Sequence, residues 1–210
     1  MPFPISRRGL LAAGAIAPLA APLIGRAQGS TWPNKPVKIM CAFPAGGITD
    51  AYARAYGDYI QQKSGQTVVV ENRVGAGGGI AAQALKASPD DGHTLMITIS
   101  STMLGNRVMF KTLPYDPDKD FSFLAIMSTG HLPLVVHKST GAKTIAEFVA
   151  YAKTNRVSFG SYAAGSFAHI VGAELNRRFN LDMTIVNYRG EAPMWQDLLT
   201  GNSQVAMGSY

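Results

Sequence analysis

Val37–Asp50 reads VKIMCAFPAGGITD, and this stretch decides the fold. Its uninterrupted apolar run, Val37–Ala42, predicts a buried strand, and Pro44–Gly47 predicts a turn. From Ala51 onward apolar residues recur at helical spacing as far as Gly65, so a helix is predicted to end there. A buried strand, a glycine turn and a helix form the unit from which parallel α/β sheets are built.

Strands of similar character recur along the chain. They are predicted at Thr67–Glu71, Thr94–Thr98, Phe123–Met127, Pro133–His137, Val157–Ser161, Thr184–Val186 and Gln204–Gly208. Helical patterns lie between several of them, so the sequence predicts an α/β fold with a mostly parallel sheet. We expect two domains, a first over residues 28–122 and a second over residues 123–210.

Four helix boundaries can be read from local signals. A helix follows the glycine loop Gly75–Gly79, and Thr144 with Glu147 forms a capping box for another. Ser166 is a predicted N-cap, and Pro193 suits the first turn of a last helix. These signals place small or polar residues at the point where each helix begins.

Composition excludes several classes of protein. Charged residues make up 15% of the chain and the hydrophobic types 47%, which does not fit a disordered chain. A single cysteine excludes a disulfide scaffold, and the four histidines show no metal-ligand spacing. The net charge of +6 includes three leader arginines, so it does not argue for nucleic acid. We expect no cofactor and no metal.

The first 27 residues have the layout of an export signal. Arg7 and Arg8 precede an uncharged run, Gly9–Gly25, and Gly25-Arg26-Ala27 offers a small-x-small cleavage site. The run is short for a membrane anchor, and it contains two prolines. The paired arginines give a partial match to the twin-arginine route.

Four loops share one design, in which small residues connect a strand to a helix. They are Ala42–Asp50, Ile99–Asn106, Ser161–Ser166 and Asn187–Pro193. In α/β sheets ligands bind beyond the carboxyl ends of the strands. The start of a helix leaves backbone N–H groups unpaired and carries partial positive charge. Such loops therefore suit a carboxylate or a phosphate.

Five segments carry a resemblance to a known family. They are WPNKPVKIMCAFPAGGITD, VVVENRVGAGGGIAAQALKASPDDGHTL, LPYDPDKDF, SFGSYAAGSFAHIVGAELNRRF and YRGEAPMWQDLLTGNSQVAM. Together they resemble the substrate-binding proteins of tripartite tricarboxylate transporters, the Bug receptors. The resemblance implies a periplasmic, monomeric, two-domain clamshell of the type II kind. It further implies capture of a small organic acid and a membrane permease or sensor protein as partner.

The resemblance also implies which residues hold the ligand. In this family the ligand carboxylate is held by backbone amides, hydroxyls and waters from such loops. The matching positions are Phe43, Gly46, Gly47, Thr49, Asp50, Ser100, Ser101, Ser161, Ala163, Gly165, Ser166, Arg189, Gly190 and Pro193. Family members continue beyond the position of Tyr210, so we expect a fragment whose second domain is incomplete.

Several alternatives stay open at this level. Asp50 is expected to cap its helix or to act through water, because its charge repels an anionic ligand. Arg189 either pairs with a second carboxylate or is a solvated surface residue. Ser166 precedes His169 by three residues, as an exported serine hydrolase could, although the G-x-S-x-G pattern is absent. A receptor that senses its ligand without transport would need the same clamshell.

The export signal leads to the first prediction. Expressed in a bacterium, the protein should reach the periplasm and lose its leader near Ala27, because a small-x-small site follows the apolar run. Sequencing the amino terminus of periplasmic protein measures the cleavage point. Exported protein that still begins at Met1 would contradict it.

Overall fold

A computed structural model describes residues 32–127 and 131–209. The predicted signal peptide, residues 1–27, lies outside them. The described residues form two sheets, and all strands of the first sheet precede all strands of the second in the chain. The predicted division at residues 122–123 falls in the connection between the sheets and stays a prediction.

The first sheet has three parallel strands in the order β2-β1-β3. They are β1 (Val37–Cys41), β2 (Val68–Asn72) and β3 (Thr94–Ile97). Three helices accompany them: α1 (Ile48–Ser64), α2 (Gly79–Lys86) and α3 (Asn106–Met109). One turn of π-helix, Ser101–Gly105, leads directly into α3 and is called the π-turn below. As predicted, α1 ends at a glycine in the left-handed conformation, Gly65.

The second sheet has four strands in the order β4-β7-β5-β6. They are β4 (Leu134–Val136), β5 (Ser158–Ser161), β6 (Thr184–Asn187) and β7 (Val205–Met207). Only β4 runs antiparallel to its neighbour, so the predicted mostly parallel arrangement is confirmed. The accompanying helices are α4 (Ile145–Thr154), α5 (Phe167–Phe179) and α6 (Glu191–Thr200).

The predicted caps of α4 and α5 are present. Thr144 Oγ1 accepts a hydrogen bond from the Glu147 backbone N–H at 3.2 Å. The Glu147 carboxylate accepts from the Lys143 N–H instead of the Thr144 N–H, so the capping box is shifted by one residue. Ser166 Oγ accepts from the His169 N–H at 3.3 Å. Gly201, in the left-handed conformation, ends α6.

One predicted strand is wrong. Phe123–Met127 is apolar, but in the structure it forms no strand. Phe123 is 61% exposed and Ile126 is 94% exposed. An apolar run becomes a strand only where a neighbouring strand supplies backbone partners, and none among the described residues pairs with it.

The second sheet has the larger core, which continues into the first. Phe148, Phe159 and Met194 are fully buried there. Ala42 and Phe43, which follow β1, belong to the same cluster. The carboxyl end of the first sheet is therefore joined to the second sheet by continuous apolar packing. No helix among the described residues has the length and apolar character to cross a membrane.

Two phenylalanines allow a direct test of this core. Phe159→Ala should lower the free energy of unfolding by about 3–5 kcal/mol, because it deletes a fully buried ring in the central strand β5. Phe123→Ala removes the same ring from an exposed position and should change it by less than about 0.5 kcal/mol. Urea denaturation of both variants measures the difference, and equal losses would contradict this core.

Candidate functional site

The four loops singled out in the sequence follow β1, β3, β5 and β6. Because β1 pairs with β3 in parallel, their loops leave the same edge of the first sheet side by side. The loops after β5 and β6 are neighbours in the second sheet for the same reason. Parallel pairing thus groups the four loops into two adjacent pairs.

Two close contacts join one pair of loops to the other. Gly190, after β6, lies against Pro44, after β1: a Cβ atom on Gly190 would stand 2.6 Å from Pro44 Cδ. Gly105, at the end of the π-turn, lies against Gly165, after β5: a Cβ on Gly105 would stand 3.0 Å from the Gly165 carbonyl oxygen. The four loops therefore form a closed ring, called the loop ring below.

The first loop presents the start of α1. Gly46 has φ 84°, a conformation that favours glycine, whereas Gly47 is extended with φ −89°. No side chain caps this helix, and the first intrahelical bond runs from the Ala51 N–H to the Gly47 carbonyl. The N–H groups of Gly47, Ile48 and Thr49 thus have no acceptor within the helix.

Asp50 lies in the first turn of α1, and its carboxylate is occupied by hydrogen bonds within the chain. It is 4% exposed, and its carboxylate accepts bonds from the Gly46 N–H at 3.0 Å and from Asn72 Nδ2 at 2.9 Å. Arg54 donates to both of its oxygens, at 3.0 and 3.1 Å. Burial acts to raise the pKa of Asp50, but the bonds from Arg54, Asn72 and Gly46 outweigh it and hold that pKa below its usual value.

The loop after β5 is held by buried hydroxyls. Ser161 and Ser166 are 0% and 1% exposed, and their Oγ atoms lie 3.0 Å apart. Ser161 donates to the Ala163 carbonyl at 2.9 Å, so the Ser166 hydroxyl donates to Ser161. Ala163 is buried, and the Gly165 N–H donates to His169 Nδ1 at 3.0 Å. These bonds shape the loop. Ser166 takes the His169 N–H and the Tyr162 hydroxyl meets the Phe167 N–H, which leaves the Ala168 N–H open in the first turn of α5.

This geometry does not form a catalytic pair from Ser166 and His169. His169 meets the serine oxygen through its backbone N–H, as a helix cap does. Its imidazole Nδ1 accepts from Gly165 instead. A serine nucleophile needs a base that takes its proton, and here the serine proton lies toward Ser161.

The loop after β3 contains a buried hydroxyl without a partner. Ser100 is exposed, whereas Ser101 is 8% exposed, and its Oγ has no hydrogen-bond partner among the described residues. Ser101 Cβ lies 3.2 Å from the place that a Cβ on Gly105 would occupy, on the turn that meets Gly165. A buried unpaired hydroxyl is costly, so this one is a candidate ligand contact.

The last loop carries an arginine without an ion pair to a described residue, Arg189, and a hydrogen-bonded glutamate, Glu191. Arg189 is exposed and makes no ion pair with a described residue. Gly190 begins α6 without a side-chain cap, and Pro193 lies half-buried in its first turn. Glu191 accepts from the Ser209 N–H at 2.8 Å and also from the Ser209 hydroxyl. Glu191 is thus hydrogen-bonded within the chain, although neutral donors leave its charge in place, and the charge of Arg189 is open to a ligand.

The structure brings the predicted residues into one ring but gives them unequal roles. Gly47, Thr49, Ser101 and Arg189 offer groups that no described residue uses, whereas Asp50, Ser161 and Ser166 mainly hold the loops. Sequence reasoning missed Asn72, which holds Asp50 and also donates to the Phe43 carbonyl at 2.9 Å. The sequence contained a signal for Asn72, because this polar residue ends β2, the strand beside β1.

Metal ligands do not gather at this site. Within residues 32–127 and 131–209, no group of three or more His, Cys, Asp or Glu side chains could hold an ion. The chemistry on offer is backbone amides, one unpaired hydroxyl and one arginine. These groups bind anions through hydrogen bonds and charge.

Solved structures identify the fold as that of the periplasmic solute-binding proteins. A chain described as a periplasmic transporter superposes with a TM-score of 0.78 at 32% identity, and Rpa4515 of R. palustris, solved with adipate, with 0.81 at 30%. MatC (Rpa3494) of Rhodopseudomonas palustris, solved with malate, gives 0.73 at 30%. These matches cover 84% or 85% of this chain and 60% of the other.

The family follows from the sequence matches. Residues 52–209 match the model of the tripartite tricarboxylate transporter family receptor, TctC, and the chain belongs to this family. A UPF0065 protein of Bordetella bronchiseptica is 33% identical over 92% of this chain and 57% of its own length. BugT of Bordetella pertussis is 32% identical over 89% of this chain and 57% of its own length. The chain therefore spans a little under three fifths of these two relatives.

Asp50 provides a test of how the first loop is held. Asp50→Asn should lower the free energy of unfolding at pH 7 by about 1–3 kcal/mol, because buried hydrogen bonds to a charged group are lost. The folded pKa of Asp50 is lowered, so its stabilisation is complete above the unfolded value of about 3.9 and is lost as pH falls through the folded value.

Urea denaturation from pH 7 to pH 2 measures this dependence. The difference between wild type and Asp50→Asn should shrink at the acidic end. Asp58→Asn, at an exposed position on the same helix, is the matched control and should change stability little. A wild-type advantage that stays constant down to pH 2 would contradict the assignment.

Proposed function

We propose that this chain is the ligand-binding part of an exported solute-binding protein that captures a small organic acid at the loop ring. The observation that carries the proposal is the ring itself, closed by the Pro44–Gly190 and Gly105–Gly165 contacts. It gathers the starts of α1, α5 and α6 around one place. The protein would deliver its ligand to the permease of a tripartite tricarboxylate-type transporter.

Electrostatics favours an anion at this place. Each helix start is equivalent to roughly half a positive charge, and α1 and α6 begin at glycines without a side-chain cap. Of the two acidic side chains nearby, Asp50 is paired with Arg54, and Glu191 is hydrogen-bonded to Ser209 and keeps its charge. A ligand carboxylate can therefore accept from the amides of Gly47, Ile48 and Thr49 beside an acid whose charge is offset.

A ligand carboxylate would also need a donor on the opposite side of the ring. Gly46 and Gly165 were expected contacts, but their N–H groups donate to Asp50 and His169. We infer that the N–H group of Ala168, in the first turn of α5, takes that part. Ser101 Oγ would add one hydroxyl bond to the carboxylate.

A dicarboxylate suits the site best. Adipate and malate, the acids bound in the structures of Rpa4515 and MatC, both carry two carboxylates. One would accept from the amides of the helix starts, and the other would pair with the exposed Arg189 guanidinium. Arg189 is next to Gly190, which touches Pro44, so it stands beside the junction of the two halves.

Location and partner are part of the same proposal. The predicted signal peptide would place the protein in the periplasm, where members of this family function. A sensor protein is the alternative partner, since sensing and transport need the same cleft. Ligand uptake by a strain that lacks the gene separates the two, because only a transport role predicts its loss.

Gly47→Val tests the placement of the ligand. Gly47 has an extended backbone, and the nearest atom to an added Cβ is 3.7 Å away, so the fold should accept a side chain there. The valine would cover the first amides of α1, so affinity for adipate or malate should fall about tenfold to hundredfold, the loss of one or more charge-assisted bonds. Isothermal titration gives the affinity and thermal unfolding checks the fold.

Two controls sharpen this experiment. Ser166→Ala should cost less affinity, because the Ser166 hydroxyl is already bound to Ser161 and His169. Dimethyl adipate should bind far more weakly than adipate, because an ester lacks the negative charge. Measurements should use this chain both alone and continued to the length of its relatives. Equal affinity for acid and ester, or an unaffected Gly47→Val, would overturn the proposed site.

A further inference from the structure

The π-turn, which follows the first sheet, contacts the Ser161–Ser166 loop of the second sheet. Gly105 ends this turn with φ −64° and ψ −40°, an ordinary helical conformation. Backbone freedom is therefore not the reason for a glycine at this position. What requires a glycine here is space, because a Cβ would come within 3.0 Å of the Gly165 carbonyl oxygen, inside ordinary van der Waals contact.

A network of buried hydrogen bonds holds the π-turn rigidly. Thr102 Oγ1 donates to the Gly77 carbonyl at 2.8 Å, and Asn106 Nδ2 donates to the same carbonyl at 3.1 Å. Tyr115 Oη donates to the Thr102 carbonyl at 2.6 Å and accepts from Asn106 at 3.0 Å. The glycine loop thus serves as the anchor of the turn. A clash at Gly105 cannot be relieved easily by moving the turn.

The opposing loop is equally constrained. Gly165 has φ 72°, and its N–H is bonded to His169. Met109, one turn after Gly105, also lies against Gly165: a Cβ on Gly165 would lie 2.8 Å from Met109 Cγ. The junction therefore consists of backbone against backbone, with one methionine side chain lying across it.

We propose that Gly105 is a positioning residue for ligand binding, which lets the π-turn and the Ser161–Ser166 loop meet so that Ser101 and the start of α5 reach the same ligand. This inference rests on the proposed function. Ser101 is the residue through which it acts, since Ser101 Cβ lies beside Gly105 and its Oγ has no partner among the described residues. A side chain at position 105 would keep the π-turn and that loop apart and separate the donors.

Gly105→Ala separates this role from a structural one. Alanine suits a helical backbone better than glycine, and this gain offsets the cost of the close contact with Gly165, so the unfolding temperature should change little. Affinity for adipate and malate should nevertheless fall about tenfold or more, the equivalent of one charge-assisted hydrogen bond, through faster dissociation. A glycine needed only for folding would lower the unfolding temperature instead. Titration calorimetry, stopped-flow dissociation and thermal unfolding supply the three readouts.

A second variant keeps the test decisive. Met109→Ala removes the side chain across the same junction from a partly exposed position, so the fold should be unaffected and affinity should fall severalfold. Gly79→Ala is the matched glycine control, because Gly79 is helical and an added Cβ makes only ordinary contacts there. Val108→Ala, at an 87% exposed position on the same helix, is the control for Met109→Ala.

The outcomes are distinct. If wild type binds a dicarboxylate and both junction variants bind it as tightly, the role of Gly105 is overturned and the proposed function stands. If wild type binds no acid of a panel that includes adipate and malate, the proposed function fails and this inference fails with it. Weaker binding by Gly105→Ala and Met109→Ala, with both controls unchanged, supports the inference.

Discussion

Parallel pairing of buried strands is the constraint from which the site follows. Strands that run in one direction deliver all their following loops to one edge of the sheet, so β1 with β3, and β5 with β6, each present two loops together. The apolar core that continues from Phe43 into the second sheet holds the two edges against each other. Four loops from distant parts of the chain therefore reach one place, and backbone contacts rather than side-chain charges join them.

Glycine and proline make the closure possible. Pro44 meets Gly190, and Gly105 meets Gly165, so the two halves touch where neither partner has a bulky flexible side chain. Backbone contacts of this kind keep the amides of the helix starts near one another. The same absence of side chains would let the proposed ligand approach the backbone closely.

The charges around the ring bear on the proposed binding of an anion. Asp50 is enclosed by Arg54, Asn72 and Gly46, and Glu191 is bound by Ser209. Each acid strengthens the loop that carries it, and Arg54 also offsets the charge of Asp50. Arg189 remains the one site residue whose full positive charge is not met by a described residue. Selectivity would follow from the distance between its guanidinium and the open amides.

The sequence by itself determined the elements, the caps and the loops that carry the site. Strand periodicity, the Thr144 and Ser166 caps and the glycines after β1 and before α6 are local signals, and each acts within a few residues. The strand predicted from the sequence at Phe123–Met127 was wrong, because an apolar run does not reveal whether another strand is near enough to pair. Only the tertiary structure decided which distant residues meet. Asn72 donates to Asp50 and to the Phe43 carbonyl, Ser209 donates to Glu191, and Gly105 and Gly190 lie against Gly165 and Pro44. Hydrogen bonds are short and directional, so their partners are settled by packing in three dimensions and not by spacing along the chain.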